Sequence, residues 1–254
     1  INARYDVIST LSVGIAAYML KKNIRVDSSQ VGGYNYFAQN IDTYREWCDE
    51  VIPNKVFITK VLDRIDRLGA INPKLAETVK RYRPNGQVDY IRHFVDSDVF
   101  RPLADKTREE HPPDSNASEE CTQENRPQDS QTGMVIGWIG NKRRIGKNYH
   151  TLYQPIAEAF AGDPDVLFVE ATKENLVPVG EMPQIYNSLD LLLITSANDG
   201  GPAPAMEAYS CGVPVLSTNV GYVKTVAHDE AKSLILDSDD PKDFIDKIRM
   251  LQND

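Results

Sequence analysis

Two loops of the sequence combine residue types that suit the binding of an anionic, hydroxylated ligand. The first reads NKRRIGKNYH and carries four cations, Lys142, Arg143, Arg144 and Lys147, within a chain whose formal net charge is −9. Positive side chains beside exposed backbone amides favour a diphosphate group. On this loop alone a second interpretation stays open, in which the turn is solvated and basic without binding any ligand.

The second loop follows the apolar run DLLLITS and passes through Asp199, Gly200 and Gly201 into a helix that we expect to begin at residues 202–204. Glycine lets a ligand approach the main chain closely, and proline is tolerated in the first turn of a helix. The free amides and positive dipole of that helix start favour an anion. Glu207, further along, can accept hydrogen bonds from hydroxyl groups. The alternatives are that Asp199 caps the helix and that Glu207 is a solvated acid.

Both loops belong to a regular alternation of strands and helices from Met134 onward. The predicted strands are MVIGWIG, DVLFVEA, DLLLITS and PVLSTN, and the predicted helices are NYHTLYQPIAEAF, MPQIYNSL, APAMEAYSC and DPKDFIDKIRML. Uniformly apolar strands separated by helices indicate a parallel sheet covered on both faces. Ligands of such sheets bind beyond the carboxyl ends of the strands, where both loops lie. We expect Tyr186, Asn187 and Asp190 to position and cap the neighbouring elements.

The N-terminal part also alternates, with weaker periodicity. Strands are assigned to YDVIST, KNIRVD, KVFITK and VDYIRHF, and helices to VGIAAYMLKK, NYFAQNIDTYREWCD and parts of residues 61–81. Between the two parts, residues 104–133 are rich in acidic, amide and proline residues and almost lack large apolar ones, which is typical of a flexible linker or loop. The sequence therefore predicts α/β domains over 1–103 and 134–254, joined by an acidic linker over 104–133.

Composition excludes several classes of protein. The net charge of −9 argues against a broad nucleic-acid-binding surface, because such a surface must attract phosphates. Cys48, Cys121 and Cys211 lie far apart, which argues against a disulfide framework or a zinc site and favours a reducing, cytoplasmic setting. The sequence has no run of eighteen apolar residues and no signal-peptide layout. Because the chain starts without Met and ends within or just after a helix, we expect residues to be missing at both ends.

The segment MPQIYNSLDLLLITSANDGGPAPAMEAYSCGVPVLSTNVGYV resembles the donor-binding signature of the retaining GT-B fold glycosyltransferases called group 1 or family 4. In that family an acid, seven residues and a glutamate precede a CGxPV turn; Asp199 and Glu207 have this spacing, and CGVPV follows at 211–215. VIGWIGNKRRIGKNYHTLYQPI resembles the family's basic loop, and VDYIRHFVDSDVFRPL resembles the end of its acceptor domain. The resemblance is strongest over residues 134–246.

This resemblance implies a GT-B fold with two Rossmann-like parallel-sheet domains, the N-terminal one incomplete. It also implies transfer of a hexose from a nucleoside diphosphate sugar to a hydroxyl acceptor with retained anomeric configuration. Such enzymes need neither a metal ion nor a bound cofactor. The acceptor stays open between a glycan, a lipid and a small molecule, as does a peripheral contact with a membrane, and neither the base nor the sugar can be read from the residues.

The resemblance assigns roles to five charged residues. Lys147 matches the lysine that binds the diphosphate, and either Lys142 or Arg143 matches the family's arginine. Glu207 matches the glutamate that holds the nucleotide ribose. Asp199 matches the acid that contacts the donor sugar. We therefore expect Asp199, Glu207 and Lys147 to be the catalytic set.

Five neutral residues complete the expected donor site. Gly200 and Gly201 match backbone that touches the sugar and phosphate, and Pro202 begins the helix that faces the anion. Val177 and Pro178 match the loop that frames the base. Gly32 and Gly33 are a weak match to the family's N-terminal glycine-rich loop.

Two departures from the family pattern keep other functions open. The first acid is usually glutamate, and the Thr and Asn of the family's EGTPNP pattern are replaced by Gly201 and Ala203. A side chain one methylene shorter moves its oxygens by roughly an ångström, which is enough to impair positioning. The alternatives are a non-catalytic or weakly active nucleotide-sugar-binding paralogue and a GT-B sugar-nucleotide epimerase. A phosphorylase lacks support, because no lysine is marked as a pyridoxal anchor.

Overall fold

The computed structural model describes residues 7–10, 32–37, 67–82, 84–90, 93–103, 133–197 and 199–253. Within these residues, nine strands form two parallel sheets. The first sheet has the order β1-β2-β3-β4 and consists of β1 (Val7–Thr10), β2 (Gly32–Phe37), β3 (Arg67–Ala70) and β4 (Gln87–Tyr90). Helix α1 (Pro73–Tyr82) connects β3 to β4.

The second sheet has the order β6-β5-β7-β8-β9. Its strands are β5 (Met134–Gly140), β6 (Val166–Thr172), β7 (Leu191–Ile194), β8 (Val215–Thr218) and β9 (Ile235–Leu236). Its helices are α2 (Gln154–Glu158), α3 (Met182–Asn187), α4 (Ala203–Ser210), α5 (Val223–Val226) and α6 (Pro241–Leu251). A π-helical turn at Tyr149–Tyr153 leads into α2, and 3-10 turns span Ile145–Lys147, Val179–Glu181 and Glu230–Leu234.

Successive residues of the central strands enter two separate hydrophobic clusters. Val135 and Leu192 belong to one cluster, whereas Ile136, Trp138 and Leu193 belong to the other. Side chains of a strand alternate between the faces of its sheet, so the two clusters lie on opposite faces. The prediction of a sheet that is covered on both faces is therefore confirmed.

Helices on each side supply the rest of these clusters. Ile156 of α2 and Phe244 of α6 are fully buried in one cluster, while Tyr186 of α3, Ala205 of α4 and Val223 of α5 are fully buried in the other. This arrangement keeps the strand ends free for loops that can bind a ligand. Among the described residues, no helix combines the length and apolar character that crossing a membrane requires.

The order of the strands defines a crevice at one end of the second sheet. From β5 the chain moves to one side to form β6, and then returns to form β7 on the other side of β5. The loops after β5 and β7 therefore diverge, and in open α/β sheets a ligand binds where the strand order reverses in this way. These are the two loops that the sequence analysis identified as candidates.

The N-terminal predictions were correct in class but wrong in several positions. β1 lies within the predicted strand YDVIST and β4 overlaps the predicted strand VDYIRHF, but residues 35–37 form a strand where a helix was predicted. Gly32 and Gly33 pair with Val7 and Ile8 inside the sheet, so they do not form a loop. The aromatic residues of GGYNYF favour a strand, and pairing with β1 and β3 places them in the sheet, so the helical assignment of residues 35–37 was wrong.

β3 was also missed, because Arg67–Ala70 lies within the stretch assigned to helices. The four residues RLGA are too few to show a strand period and contain no β-branched residue; pairing with β2 and β4 places them in the sheet. In the C-terminal part, α5 and β9 were not predicted. The segments KNIRVD, KVFITK and VGIAAYMLKK, residues 38–49 and residues 104–132 lie outside the described residues, and the domain limits at 103 and 134 stay predictions.

Candidate functional site

The ammonium group of Lys147 and the carboxylate of Asp199 form an ion pair between the two candidate loops. Nζ of Lys147 donates a hydrogen bond to Oδ2 of Asp199 at 2.6 Å, and the side chains are 13% and 17% exposed. The other carboxylate oxygen, Oδ1, accepts a hydrogen bond from the amide of Gly201 at 3.2 Å. The structure thus brings the lysine of the first loop together with the acid and the glycine backbone of the second loop, across 52 residues of sequence.

A chain of hydrogen bonds fixes the position of Lys147. The indole Nε1 of Trp138 donates to Oγ1 of Thr195 at 3.0 Å, and this hydroxyl donates to the carbonyl of Lys147 at 2.7 Å. The amide of Ala197 donates to the carbonyl of Gly146 at 2.9 Å. Trp138 is buried within the strand predicted at MVIGWIG. The basic loop is therefore attached to the end of β7 at two points, which holds its lysine at the crevice.

The glycines of the second loop are required by close packing. A Cβ atom on Gly201 would lie 1.9 Å from Cε1 of Tyr222, so no side chain fits at position 201. Gly221 has φ +58°, and a Cβ atom there would lie 2.8 Å from Cα of Gly201 and 2.9 Å from the carbonyl oxygen of Asp199. Glycine adopts this left-handed conformation without strain. The glycine loop, defined as residues 199–201, is therefore packed tightly against the turn after β8.

Glu207 lies on α4, which begins at Ala203 as predicted, with Pro202 at the N-cap. The hydroxyl of Tyr186 donates a short hydrogen bond to Oε2 of Glu207. Tyr186 is fully buried, and its ring meets Phe100 edge-on with centroids 5.8 Å apart. Burial, together with the negative charge of Glu207, raises the pKa of Tyr186, so the phenol keeps its proton and acts as a donor. Tyr186 therefore holds the carboxylate, besides packing α3 as expected.

Lys142 and Arg143 are engaged by two acids that the sequence analysis did not single out. Lys142 forms a salt bridge with Glu170, and its Nζ lies 4.6 Å from the ring centroid of Tyr149. Nε of Arg143 lies 3.1 Å from Oε1 of Glu174. The signal for Glu170 was a single acid in the apolar stretch VLFVEA, because a carboxylate in such a strand needs a partner. A phosphate-binding role of either cation stays a prediction.

Contacts around Glu170 stabilise its charged form. Burial alone would raise the pKa of this carboxyl, but hydrogen bonds from Lys142, Tyr149 and Tyr153 outweigh it, and the pKa of Glu170 is lowered. The hydrogen bond to Glu170 raises the pKa of Lys142 correspondingly. The hydroxyl of Tyr149 donates to Oε1 of Glu170 at 2.8 Å. The pair is thus charged on both sides at neutral pH.

We predict that Glu170→Gln lowers the free energy of unfolding at pH 7 by about 1–2 kcal/mol, the usual contribution of hydrogen bonds to a charged group. A depressed folded-state pKa means that this stabilisation is present above the unfolded pKa and is lost as the pH falls through the folded pKa. Urea unfolding of both proteins between pH 7 and pH 3 should show the difference shrinking. The control is Glu174→Gln, since its partner Arg143 is 83% exposed; a pH-independent difference would contradict the prediction.

The remaining predicted residues have clear positions. Asn187 accepts a hydrogen bond from the amide of Leu103 at 2.8 Å and donates to the carbonyl of Arg101 at 3.0 Å. Asp190 accepts from the amide of Val135 at 2.7 Å. These contacts confirm that Asn187 and Asp190 position neighbouring elements. They also attach residues 101–103 to the second sheet's helical layer.

Val177 and Pro178 lie between β6 and the 3-10 turn Val179–Glu181. Two neighbouring apolar side chains, Leu176 and Val179, are 79% and 77% exposed. A nucleotide base needs apolar surface of this kind to stack on. The framing of a base by Val177 and Pro178 stays a prediction.

Two solved structures share this arrangement of sheets. Sucrose-phosphate synthase from Thermosynechococcus elongatus matches with a TM-score of 0.67 and 14% sequence identity, over 100% of this chain and 66% of that chain. HepE from Anabaena, solved in complex with UDP-glucose, matches with a TM-score of 0.60 and 11% identity, over 96% of this chain and 68% of that chain. The class of protein is therefore an α/β protein with the two-sheet GT-B fold, as predicted.

Sequence similarity relates the C-terminal part of the chain to one family of enzymes. Residues 143–254 match the family model of the glycosyl transferases group 1. A D-inositol 3-phosphate glycosyltransferase from Corynebacterium urealyticum is 27% identical over 152 residues, covering 48% of this chain and 36% of that relative. The chain thus spans about a third of the length of this relative. Over residues 143–254 the chain is therefore similar to the group 1 glycosyl transferases.

Proposed function

We propose that this chain carries the donor site of an enzyme that transfers a hexose from a nucleoside diphosphate sugar to a hydroxyl acceptor, with retained anomeric configuration. One observation carries the proposal. Lys147, Asp199 and the backbone of Gly201 meet at the carboxyl ends of β5 and β7, in a domain of the group 1 glycosyl transferases. A cation, free amides and an acid at this crevice suit an anionic sugar donor.

Each charged residue has a task in this reaction. Departure of the nucleoside diphosphate builds negative charge on its β-phosphate and positive charge on the sugar, and a catalyst must stabilise both. Lys147 would neutralise the phosphate, with the amides at the start of α4 beside it. Asp199 would face the sugar, and Glu207 would accept hydrogen bonds from the ribose hydroxyls. Because protein cations take this role, we propose a reaction without a metal ion or bound cofactor.

The first donor to test is a uridine diphosphate sugar. HepE, which shares the fold, was solved with UDP-glucose, and this supports the class of donor rather than the particular sugar. For the acceptor, we propose only a hydroxyl compound, either a glycan, a lipid or a small molecule, and not a nucleic acid. A cytoplasmic location belongs to the same proposal, and it rests on the cysteine usage of the sequence.

Thermal unfolding with a panel of UDP-, GDP- and ADP-glucose tests the proposal. One nucleotide class should raise the midpoint temperature of unfolding by about 5–10 °C when the ligand is present at a hundredfold excess over its Kd. Lys147→Ala and Glu207→Ala should both abolish this rise. Lys242→Ala is the control, since this exposed lysine of α6 pairs with Asp246 and should leave the rise intact. A rise that survives both site variants would refute the proposed site.

The structure also favours a second candidate function, a nucleotide-sugar-binding paralogue with little or no turnover. The observation behind it is that the carboxylate of Asp199 is already paired with the ammonium group of Lys147. In addition, the chain has the shorter acid at this position, where the family usually has glutamate. Such a protein would bind the donor without consuming it. Assays of donor hydrolysis and transfer, run beside a binding measurement, separate the two: binding with no consumption of donor selects the paralogue.

A further inference from the structure

We propose that Asn72, His93 and Tyr222 are positioning residues that hold the glycine loop in the conformation that receives the donor phosphate. This inference rests on the proposed function for the identity of the ligand. Two of the three residues come from the first half of the chain. The site on the second sheet would therefore be completed by the ends of β3 and β4.

Asn72 holds the peptide unit between Gly200 and Gly201. Its Nδ2 donates to the carbonyl of Gly200 at 2.5 Å, across 128 residues of sequence, and the asparagine is only 3% exposed. The backbone carbonyl of Asn72 accepts the amide of Ala76 at 3.0 Å, which anchors it to the first turn of α1. The backbone of Asn72 is thus held by α1, while its side chain binds the glycine loop.

Holding one end of a peptide unit orients the other end. The carbonyl of Gly200 and the amide of Gly201 belong to the same planar group, so they point in opposite directions. Asn72 binds the carbonyl, and the amide is directed at Oδ1 of Asp199 at 3.2 Å. An anionic ligand at this site would use the same amide. Asn72 therefore sets the direction of a donor that the ligand needs.

Tyr222 forms the opposite wall of the glycine loop. Its ring fills the space where a side chain at Gly201 would lie, and it is only 2% exposed. The hydroxyl of Tyr222 lies 3.1 Å from Nδ1 of His93, and the two rings have centroids 5.9 Å apart. His93 follows β4 in the first half of the chain. Through its contact with Tyr222 it forms a second, indirect link between that half and the glycine loop. The loop is enclosed by Asn72 on one side and Tyr222 on the other.

Two variants remove these contacts with little change in shape. Asn72→Asp replaces the amide donor with an acceptor that repels the Gly200 carbonyl, and Tyr222→Phe removes only the hydroxyl that meets His93. Hydrogen exchange of the peptide that contains residues 199–201, followed by mass spectrometry without ligand, should become about tenfold faster in Asn72→Asp and several-fold faster in Tyr222→Phe. The dissociation constant of UDP should rise by similar factors.

Matched controls make the same chemical changes elsewhere. Asn253 donates to the carbonyl of Arg249 at 2.6 Å at the exposed end of α6, so Asn253→Asp removes a bond of the same chemical type far from the glycine loop in the sequence. The buried hydroxyl of Tyr209 has no hydrogen-bond partner in the part of the chain that the structure describes, so Tyr209→Phe removes a hydroxyl without breaking a bond. Neither control should change exchange at residues 199–201.

A double-mutant cycle tests the wall formed by Tyr222 independently. Gly201→Ala alone should weaken UDP binding by about tenfold, because its methyl group overlaps the ring. In Gly201→Ala with Tyr222→Ala, the space is open, and the two changes together should cost less than the sum of the single ones. Strict additivity would overturn the role of Tyr222.

The outcomes separate this inference from the proposed function. Faster exchange at residues 199–201 in Asn72→Asp or Tyr222→Phe supports the positioning role even if the protein does not bind UDP, in which case it is the donor proposal that fails. Unchanged exchange in both variants overturns the inference, whatever the affinity for UDP. Because Tyr222→Phe keeps the packed ring, it gives an answer even where Asn72→Asp does not fold.

Discussion

Asp199→Asn is expected to strengthen the binding of UDP by about tenfold, while the rate of sugar transfer falls by about a hundredfold. The carboxylate is a negative charge 2.6 Å from Nζ of Lys147, and it would repel the phosphate that the same lysine must bind. Removing the charge frees Lys147 for the ligand. It also removes the group proposed to stabilise the positive charge that develops on the sugar, so affinity and turnover should change in opposite directions.

Lys147→Met is the complementary variant, and it is expected to lower the affinity for UDP that Asp199→Asn raises. Lys147→Met should weaken the binding of UDP by about a hundredfold, because the phosphate loses its cation while the repelling carboxylate of Asp199 remains. Isothermal titration with UDP measures both affinities, and a transfer assay measures turnover. Both variants should also unfold somewhat more easily, since each leaves one member of a pair that is 13% and 17% exposed without its partner. A loss of UDP affinity in Asp199→Asn would contradict competition for Lys147.

Glu207→Ala is expected to lower the free energy of unfolding by about 2–3 kcal/mol and to weaken the binding of UDP by about a hundredfold. The first effect follows because the fully buried hydroxyl of Tyr186 loses its acceptor. The second follows because the carboxylate is proposed to hold the ribose. Urea unfolding and titration with UDP measure the two effects separately.

Inorganic pyrophosphate provides the discriminating ligand for this variant, since it has phosphates but no ribose. Glu207→Ala should bind pyrophosphate like the wild type, whereas Lys147→Met should lose it. Tyr186→Phe should keep the charge of Glu207 but loosen the position of its carboxylate, so the binding of UDP should weaken by only several-fold. Tyr209→Phe is the matched control. Equal loss of UDP and pyrophosphate in Glu207→Ala would show that this residue does not act on the ribose.

Prediction of the fold from the sequence was correct where local pattern carries the information. The apolar strands β5 to β8 and the start of α4 at Ala203 were predicted, because uniform apolar runs and a Gly-Gly-Pro turn have few other interpretations. It was less accurate in the first sheet. There Arg67–Ala70 forms a strand although its four residues show no period, and residues 35–37 were assigned to a helix.

The sequence by itself determined that Lys147 and Asp199 would face the same crevice. Each follows a parallel strand, and the carboxyl ends of parallel strands share one edge of their sheet. The pairing of these two side chains with each other, and of Lys142 with Glu170, was decided only by the tertiary structure. A cation and an acid in a sequence do not reveal which partner each will find at a distance of a few ångströms.

Tertiary structure alone also decided what surrounds the glycine loop. Asn72 reaches Gly200 across 128 residues, and His93 reaches Tyr222 across 129. Such contacts depend on how the first sheet approaches the second, and packing between separate sheets has no period or motif in the local sequence. Local pattern therefore predicted the site at which we propose that a ligand binds, and long-range packing determined how the glycine loop at this site is held.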